Sequence, residues 1–205
     1  MMSMWQNQTA IIVFLRVPEL GKVKTRLAKT VGPEKALQIY EYLVEKTLIE
    51  VQATDLPVFL YFHPHVDEVI VKRFPKFFPR LQSGTDLGLK MYHAFEEVLN
   101  SYPKSMIIGT DCPYITKDLL IKASQLLEKN DVVVGPALDG GYYLLGLKNN
   151  IREIFEDISW GSDSVLDTTI DVIRKMQISY SLLPRLSDID YQEDWEIYQQ
   201  SNFKF

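Results

Sequence analysis

The stretch IIGTDCPYI, from Ile107 to Ile115, ends a short apolar run at a carboxylate. The run stops at a Gly-Thr-Asp sequence whose aspartate is Asp111, and Pro113 restricts the turn that follows. A continuous apolar run without alternation is typical of a strand that is covered on both faces. Ligands of open α/β sheets bind beyond the carboxyl ends of such strands. The stretch therefore predicts a buried strand that ends with Asp111 at a ligand-binding edge.

Strand-like and helix-like patterns alternate on both sides of this stretch. Further apolar runs occur at AIIVFL (10–15), VFLYF (58–62), VVV (132–134) and YYLLGL (142–147), and another strand is predicted around 179–183. Helical spacing of apolar residues begins near Pro33, Leu87, Thr116 and Val165, and a last helix is predicted over 192–200. This alternation predicts a three-layer α/β/α fold with a mostly parallel sheet. The Gly-rich turn before YYLLGL predicts an antiparallel portion, and the aromatic stretch RFPKFFPR (73–80) is predicted to be packing and turn.

The composition limits the kinds of partner. The chain has 205 residues, 46% of them hydrophobic, which is enough for a single domain over residues 1–205. A formal net charge of -5 argues against nucleic acid and anionic membranes as partners, because both attract basic surfaces. The one cysteine, Cys112, allows no internal disulfide and lies in no recognisable hydrolase pattern. The start of the chain lacks a charged n-region and AIIVFL is too short to span a bilayer, so we expect a soluble cytoplasmic protein.

The stretch RVPELGKVKTRLAK directly follows the first predicted strand and is basic. It carries Lys22, Lys24 and Arg26, and Gly21 can let backbone N–H groups approach an anion. Arginine offers a bidentate fork and lysine a mobile point charge, so the stretch can act as a phosphate cradle. The alternative is a solvated basic turn, since the stretch contains neither a Walker A loop nor a G-x-G-x-x-G loop.

Three aspartates can form a metal site. Asp111 ends a central strand, and Asp188 and Asp190 alternate after the last predicted strand, so that in extended backbone they point the same way. Carboxylate oxygens suit Mg2+ and Mn2+. Crowding of the three would raise the pKa of at least one, and Asp111→Asn would relieve the repulsion. The alternatives are structural: Asp111 would cap a turn or helix, and Asp190 would cap the last helix with Glu193 as its capping-box partner.

The sequence ALDGGYYLLG offers a turn with Asp139, Gly140, Gly141 and Tyr142. In the functional interpretation the turn faces a substrate, because glycines let the backbone approach a ligand closely. In the structural interpretation it is a hairpin turn with Asp-Gly at its tip. The residues alone leave both interpretations open.

Six motifs occur in order along nearly the whole chain: GKVKTRLAK, LQSGTDLGLKM, GTDCPYI, GPALDGGYYLLGL, ISWGSDSVL and DIDYQEDWE. With them the chain resembles a family of small glycosyltransferase-A-like proteins in the nucleotide-diphospho-sugar transferase superfamily, the selenodomain- or radical-SAM-associated transferases. It is more distantly similar to the phospholactate and molybdenum-cofactor guanylyltransferases, although its first loop lacks their Gly-Gly-x-Gly-x-Arg run. The resemblance implies a Rossmann-like GT-A fold.

The resemblance also implies roles for individual residues. The loop after the first strand would grip nucleotide phosphates through Gly21, Lys22, Lys24, Thr25 and Arg26. Asp111 would bind Mg2+ or Mn2+ together with Asp188 and Asp190, and the catalytic residues would be Asp111, Lys24 and Arg26. Further motifs would supply the substrate-binding residues Asp86, Asp139, Gly140, Gly141, Tyr142 and Trp160.

These expectations describe a metal-dependent transferase that uses a nucleoside triphosphate or a nucleotide sugar as donor and a small molecule as acceptor. The KTRL loop and the C-terminal D-x-D favour nucleotidyl transfer, whereas the customary family label favours glycosyl transfer, so both reactions stay open. The alternative function is a catalytically silent nucleotide-binding module of the same fold.

Overall fold

The structure is a computed structural model, and it describes residues 8–202. Residues 1–7, where the sequence predicts no targeting signal, and residues 203–205 lie outside this described part. The strands are β1 (Thr9–Arg16), β2 (Val58–His63), β3 (Phe78–Leu81), β4 (Lys104–Ile108), β5 (Val132–Pro136), β6 (Tyr142–Leu147) and β7 (Tyr180–Leu182). The helices are α1 (Thr25–Val31), α2 (Pro33–Gln52), α3 (Glu68–Arg73), α4 (Leu87–Leu99), α5 (Lys117–Lys129), α6 (Val165–Lys175) and α7 (Gln192–Asn202), with a short 3-10 helix at Arg152–Ile154.

The strands form one sheet in the order β3-β2-β1-β4-β6-β5-β7. Strand β6 runs antiparallel to β4 and β5, and the other neighbouring pairs are parallel. Six strands therefore end at the same edge of the sheet, and β6 begins there. This edge is where the topology predicts a ligand site.

Apolar layers cover both faces of the sheet. On β1, Ile11 and Val13 pack with residues of α2 and α5, whereas Ile12 packs with residues of α4 and α6, and all three are fully buried. Side chains alternate between the faces of a strand, so a strand covered on both sides is apolar throughout. A smaller cluster joins α1, α2 and the segment before α7 through Leu27, Leu43 and Ile189.

The observed layers confirm the predicted α/β class and its antiparallel portion. Thr116 caps α5 as predicted, since its hydroxyl accepts the Leu119 N–H at 3.3 Å. The prediction for RFPKFFPR was wrong in part, because its end forms strand β3. That edge strand has no fully buried residue and contains Pro79, so it lacks an apolar run. Between residues 8 and 202, no helix is long and apolar enough to cross a membrane.

Candidate functional site

A cleft of about 1170 Å³ lies along the edge where the parallel strands end. Loops and helix starts from both halves of the sheet contribute to its walls. Its charged lining residues comprise basic groups, Arg16, Lys22, Lys24, Arg26, His63 and Lys90, and acidic groups, Asp111, Asp139, Asp163, Asp188, Asp190 and Asp194. The cleft therefore combines cationic and anionic groups, as a site for a metal–phosphate ligand requires.

Lys24 is buried at the centre of the acidic group. Its backbone adopts the left-handed conformation (φ 46°), and α1 begins at the next residue. The ammonium lies 2.5 Å from Asp111 Oδ1 and donates a hydrogen bond to the Ile189 carbonyl at 2.6 Å. Only 5% of the side chain is exposed. The Asp111 carboxylate thus compensates a cation that is largely shielded from water.

Asp190 joins the same cluster from the far end of the chain. Its Oδ2 accepts a hydrogen bond from Arg26 Nη1 at 2.8 Å, and its Oδ1 lies 3.6 Å from the Lys24 ammonium. The start of α7 is capped by Asp194, whose carboxylate accepts the N–H groups of Asp190 and Tyr191. The alternative in which the Asp190 carboxylate caps this helix is therefore wrong.

Backbone pairing explains why the C-terminal segment reaches Asp111. After β7, the Leu183 N–H donates to the Val134 carbonyl, and the Ile189 N–H donates to the Asp111 carbonyl at 2.9 Å. Ile189 itself is fully buried in the cluster of α1, α2 and α7. The segment with Asp188 and Asp190 is thus fixed beside the end of β4.

Asp188 is a largely buried carboxylate of the site, and its pKa is strongly raised. Burial, and then the charges of Asp111 and Asp139, raise the pKa of Asp188 to about 7, although Lys24 opposes the shift. Its Oδ1 is buried and has no hydrogen-bond partner in the described part of the chain. A buried polar atom without a partner is costly, and a bound cation would relieve that cost.

Cys112 lies against Asp188, and its thiol stays protonated at neutral pH. Burial and the negative charge of Asp188 raise the pKa of the Cys112 thiol to about 12. Only the thiolate is a good nucleophile. The Cys112 thiol is therefore a poor nucleophile in this arrangement.

The carboxylate oxygens of the aspartates suit a hard divalent cation. In this structure, however, Asp111 and Asp190 are paired with a lysine. Among residues 8–202, no three His, Cys, Asp or Glu side chains are placed to hold a metal ion as they stand. The Lys24 ammonium lies against Asp111 and Asp190. A metal ion shared by Asp111, Asp188 and Asp190 therefore requires the Lys24 side chain to withdraw.

Four of the five residues of the predicted phosphate cradle line the cleft, all but Gly21, and two of the five are helical. Lys22, Lys24, Thr25 and Arg26 all contribute to the wall, and Thr25 and Arg26 begin α1 instead of extending a loop. Gly21 has a positive φ of 72° and open space where a Cβ would lie. Lys22 and Arg26 are exposed to the solvent of the cleft.

The predicted substrate turn connects β5 to β6, so it is a hairpin and also lines the cleft. Asp139, Gly141, Tyr142 and Trp160 all contribute to the wall. Asp139 Oδ1 accepts the Gly141 N–H at 2.9 Å, and the Tyr142 ring meets Trp160 edge-on with centroids 6.5 Å apart. The Tyr142 hydroxyl is buried without a hydrogen-bond partner in the part of the chain described here.

Two of the predicted substrate residues have structural contacts instead. Asp86 caps α4, since its Oδ1 accepts the Leu89 N–H at 2.9 Å. Gly140 has a positive φ of 91°, and a Cβ on it would lie 2.1 Å from the Asp163 carbonyl oxygen. Its own carbonyl accepts the Leu166 N–H at 2.8 Å. Gly140 thus holds the loop before α6 against the turn.

We expect Gly140→Val to destabilise the fold by roughly 2–4 kcal/mol, because the side chain combines backbone strain with a clash against backbone. Gly161→Val is the matched control, since Gly161 has a similar φ of 86° but open space around its Cβ position. Urea denaturation of both variants measures the difference. Equal losses of stability would contradict a packing role for Gly140.

The chain matches a protein-family model. The model described as "Uncharacterized protein conserved in bacteria (DUF2064)" matches residues 47–162, which is more than half of the chain. The chain belongs to this family. No curated protein matches it by sequence.

Solved structures place this DUF2064 protein in a known fold. A candidate nucleotide-diphospho-sugar transferase of Desulfovibrio desulfuricans G20 is 29% identical, with a TM-score of 0.89 over 97% of this chain and 89% of that one. The inositol-1-phosphate CTP transferase of T. maritima is 12% identical (TM-score 0.64, 95% of both chains). Rv0371c of Mycobacterium tuberculosis H37Rv, in complex with manganese, is 11% identical (TM-score 0.57, 95% and 99%). The first of these structures confirms the predicted resemblance to nucleotide-diphospho-sugar transferases, and the other two share the fold.

Three basic residues of the cleft were not among the predicted site residues: Arg16, His63 and Lys90. Arg16 ends β1 and His63 ends β2, so the rule that identified Asp111 at the end of β4 applies to both. Lys90 lies in the first turn of α4, within the LQSGTDLGLKM motif, but it does not follow a strand end. The signal for two of the three was therefore present in the sequence.

Proposed function

We propose that this DUF2064 protein is a metal-dependent transferase that uses a nucleoside triphosphate or a nucleotide sugar as donor. One observation carries the proposal: Asp111 and the distant pair Asp188 and Asp190 gather with Lys24 and Arg26 in the wall of one cleft. Carboxylates around a divalent cation, with lysine and arginine beside them, suit a ligand with a pyrophosphate group. The transferase named for the 29% identical structure supports the same class of reaction.

Different residues of the cleft would bind the metal ion and the phosphates. Asp111, Asp188 and Asp190 would hold Mg2+ or Mn2+, which supplies positive charge next to the phosphate oxygens on which negative charge develops. Lys24 would turn from the carboxylates to the phosphates, and Arg26 would bind a phosphate with its guanidinium fork. Both cations stabilise the leaving group, and that interaction grows stronger as the bond breaks.

The rest of the cleft would hold the substrates in place. Tyr142 and Trp160 offer aromatic surface for a base or sugar, and Tyr142 also offers a hydroxyl without a partner in residues 8–202. Asp139 and the Gly141 backbone border the same space. These groups are proposed to orient the donor and acceptor, while the chemistry takes place at the aspartates.

The products distinguish the two possible reactions. Nucleotidyl transfer from a nucleoside triphosphate releases pyrophosphate, whereas glycosyl transfer from a nucleotide sugar releases a nucleoside diphosphate. Rv0371c, solved with manganese, and the CTP transferase of T. maritima share only the fold with this chain at this identity, so neither selects the donor.

A thermal-shift screen of nucleotides and nucleotide sugars, with Mg2+ or Mn2+, tests the proposal. A ligand at 100 times its Kd should add about 2.7 kcal/mol of stability. Product analysis with the stabilising donor then identifies the reaction. If no nucleotide stabilises the protein with either metal, the proposed function is wrong, and if nucleotides bind without turnover the protein is a silent binding module.

We expect Arg26→Ala to weaken nucleotide binding about tenfold or more, because a charge-assisted hydrogen bond contributes ~1.5–3 kcal/mol. Lys29→Ala is the matched control, since Lys29 is an exposed cation in the last turn of the same helix. Titration calorimetry with the best nucleotide measures both. If both variants bind with the affinity of the natural protein, the phosphate-cradle interpretation fails.

A further inference from the structure

A second group of basic side chains lines the cleft. Arg16 ends β1 and His63 ends β2, and the two residues are partners in the parallel register of these strands. Lys90 lies in the first turn of α4. All three contribute to the cleft wall. The proposed phosphate cradle includes none of them.

The alternation of the strands explains why these residues meet α4. On β1, Ile12 belongs to the apolar layer of α4, and Phe14 packs against that layer. On β2, Tyr61 belongs to the same layer. Side chains two residues apart share a face, so Arg16 and His63 continue this face beyond the apolar residues. Lys90, in the first turn of α4, lies near enough to His63 for its charge to act on that ring.

The three basic groups have no acidic partners. Within the described residues, none of them forms an ion pair, whereas Lys24 and Arg26 are both paired with aspartates. Arg16 donates one hydrogen bond to the Lys22 carbonyl at 3.1 Å. Burial, and then the positive charges of Lys90 and Arg16, lower the pKa of His63. The repulsion among these groups would be relieved by a bound anion.

We propose that Arg16, His63 and Lys90 form an oxyanion-binding subsite that takes a phosphate or carboxylate group of a substrate. Its donors are complementary: Arg16 offers a planar fork, Lys90 a mobile ammonium and His63 a ring N–H. Phe14, Tyr142 and Trp160 line the same cleft and would contact the apolar part of that substrate. The place of the subsite in catalysis rests on the proposed function, but its affinity for an oxyanion does not.

The anionic group can belong to either substrate. A nucleoside triphosphate carries a terminal phosphate that this subsite can bind, while Lys24 and Arg26 bind the phosphates nearer the metal. Alternatively, the subsite binds a phosphorylated or carboxylated acceptor. The chemistry of the subsite is the same in both cases, so competition with a nucleotide distinguishes them.

Inorganic phosphate, without metal or nucleotide, tests the subsite on the intact protein. Calorimetry should detect binding, and Lys90→Gln should weaken it about tenfold or more, the effect of one charge-assisted hydrogen bond. Lys72→Gln is the control, because Lys72 is exposed on α3 and paired with Glu68. Arg16→Gln provides a second variant, with the same weakening expected.

The ring signals of the histidines locate the bound phosphate. Phosphate should shift the NMR signals of His63 and leave those of His65, which faces Glu19, unchanged. The proposal is overturned if phosphate does not bind, if Lys90→Gln and Arg16→Gln bind it normally, or if His63 does not respond.

A nucleotide titration then shows whether the subsite binds the anionic group of the donor or that of the acceptor. If Lys90→Gln also weakens binding of a nucleoside triphosphate with Mn2+, the subsite serves the donor. If nucleotide affinity is unchanged and phosphate still binds to the nucleotide complex, the subsite serves the acceptor. Because the phosphate titration contains no metal and no nucleotide, failure of the proposed function leaves its result intact.

Discussion

Replacing Asp111 with Asn should abolish metal-dependent nucleotide binding and also destabilise the metal-free protein. The change removes one metal ligand, and it takes the nearest counter-charge from the buried Lys24 ammonium, 2.5 Å away. Breaking a fully buried ion pair costs about 3–5 kcal/mol. The Asp111 side chain is 48% exposed and Asp190 remains nearby, so we expect a loss of about 1–2 kcal/mol. Urea denaturation in a chelator and titration calorimetry measure the two effects.

The double variant Lys24→Met, Asp111→Asn is the control for Asp111→Asn. Once the ammonium is absent, the loss of the carboxylate should cost little, so the two changes should couple strongly in a double-mutant cycle. The sequence alone predicted that Asp111→Asn would relieve repulsion. The structure reverses that expectation, because Lys24 compensates Asp111. An increase in stability on Asp111→Asn would contradict the ion pair.

Replacing Asp188 with Asn should have the opposite effect on the metal-free protein and stabilise it at pH 8. Burial and the charges of Asp111 and Asp139 raise the pKa of Asp188 to about 7, whereas the unfolded chain has the ordinary value near 4. Between those two pH values the folded protein holds the proton more strongly than the unfolded chain does. Stability therefore falls as the pH rises from about 4 to 7, and the loss is complete above that range.

The Asn variant cannot ionise, so its stability lacks this dependence on pH. The expected gain is on the order of 2 kcal/mol at pH 8 and near zero at pH 4. Asp190→Asn is the control, because the Asp190 carboxylate is paired with Arg26 and its removal should give no gain. Denaturation curves at several pH values, in a chelator, measure the difference. An equal effect of Asp188→Asn at pH 4 and pH 8 would contradict the ionisation of a buried carboxylate.

Residues at the ligand-binding edge of the sheet could be predicted from the sequence, because the end of an apolar run marks the end of a strand. The apolar runs of the parallel strands β1, β2 and β4 are covered on both faces, and the polar residue that comes after each of them lies at the ligand edge. That reasoning placed Asp111 in the wall of the cleft, and the alternation of Asp188 and Asp190 pointed to the same place. The structure brings all three to one cleft wall.

The partners of these carboxylates could not be predicted, because they depend on tertiary contacts. Lys24 lies against Asp111 and the Ile189 carbonyl from a left-handed backbone conformation, which a lysine seldom adopts. Asp194 caps α7 in place of Asp190. Both features arise where α1 and the segment before α7 pack together, and neither segment alone contains the information.

Strand β3 and the packing of Gly140 are two further features that could not be predicted from the sequence. An edge strand with exposed residues and a proline has no apolar run to reveal it. The pair Gly140 and Gly141 looks symmetrical in the sequence, yet Gly141 borders the cleft while Gly140 packs against the backbone of Asp163. A glycine alone does not tell whether a ligand or another backbone segment approaches it.

The most direct test of the metal-dependent site is the binding of Mn2+, measured by electron paramagnetic resonance with and without a nucleotide identified in the thermal-shift screen. We predict one bound Mn2+ per chain in the presence of the nucleotide, and its loss in Asp111→Asn and in the double variant Asp188→Asn, Asp190→Asn. Lys24→Met should bind Mn2+ more tightly than the natural protein when nucleotide is absent, because the ammonium no longer competes for Asp111 and Asp190. Mn2+ binding that is unchanged in the aspartate variants would contradict the shared metal site.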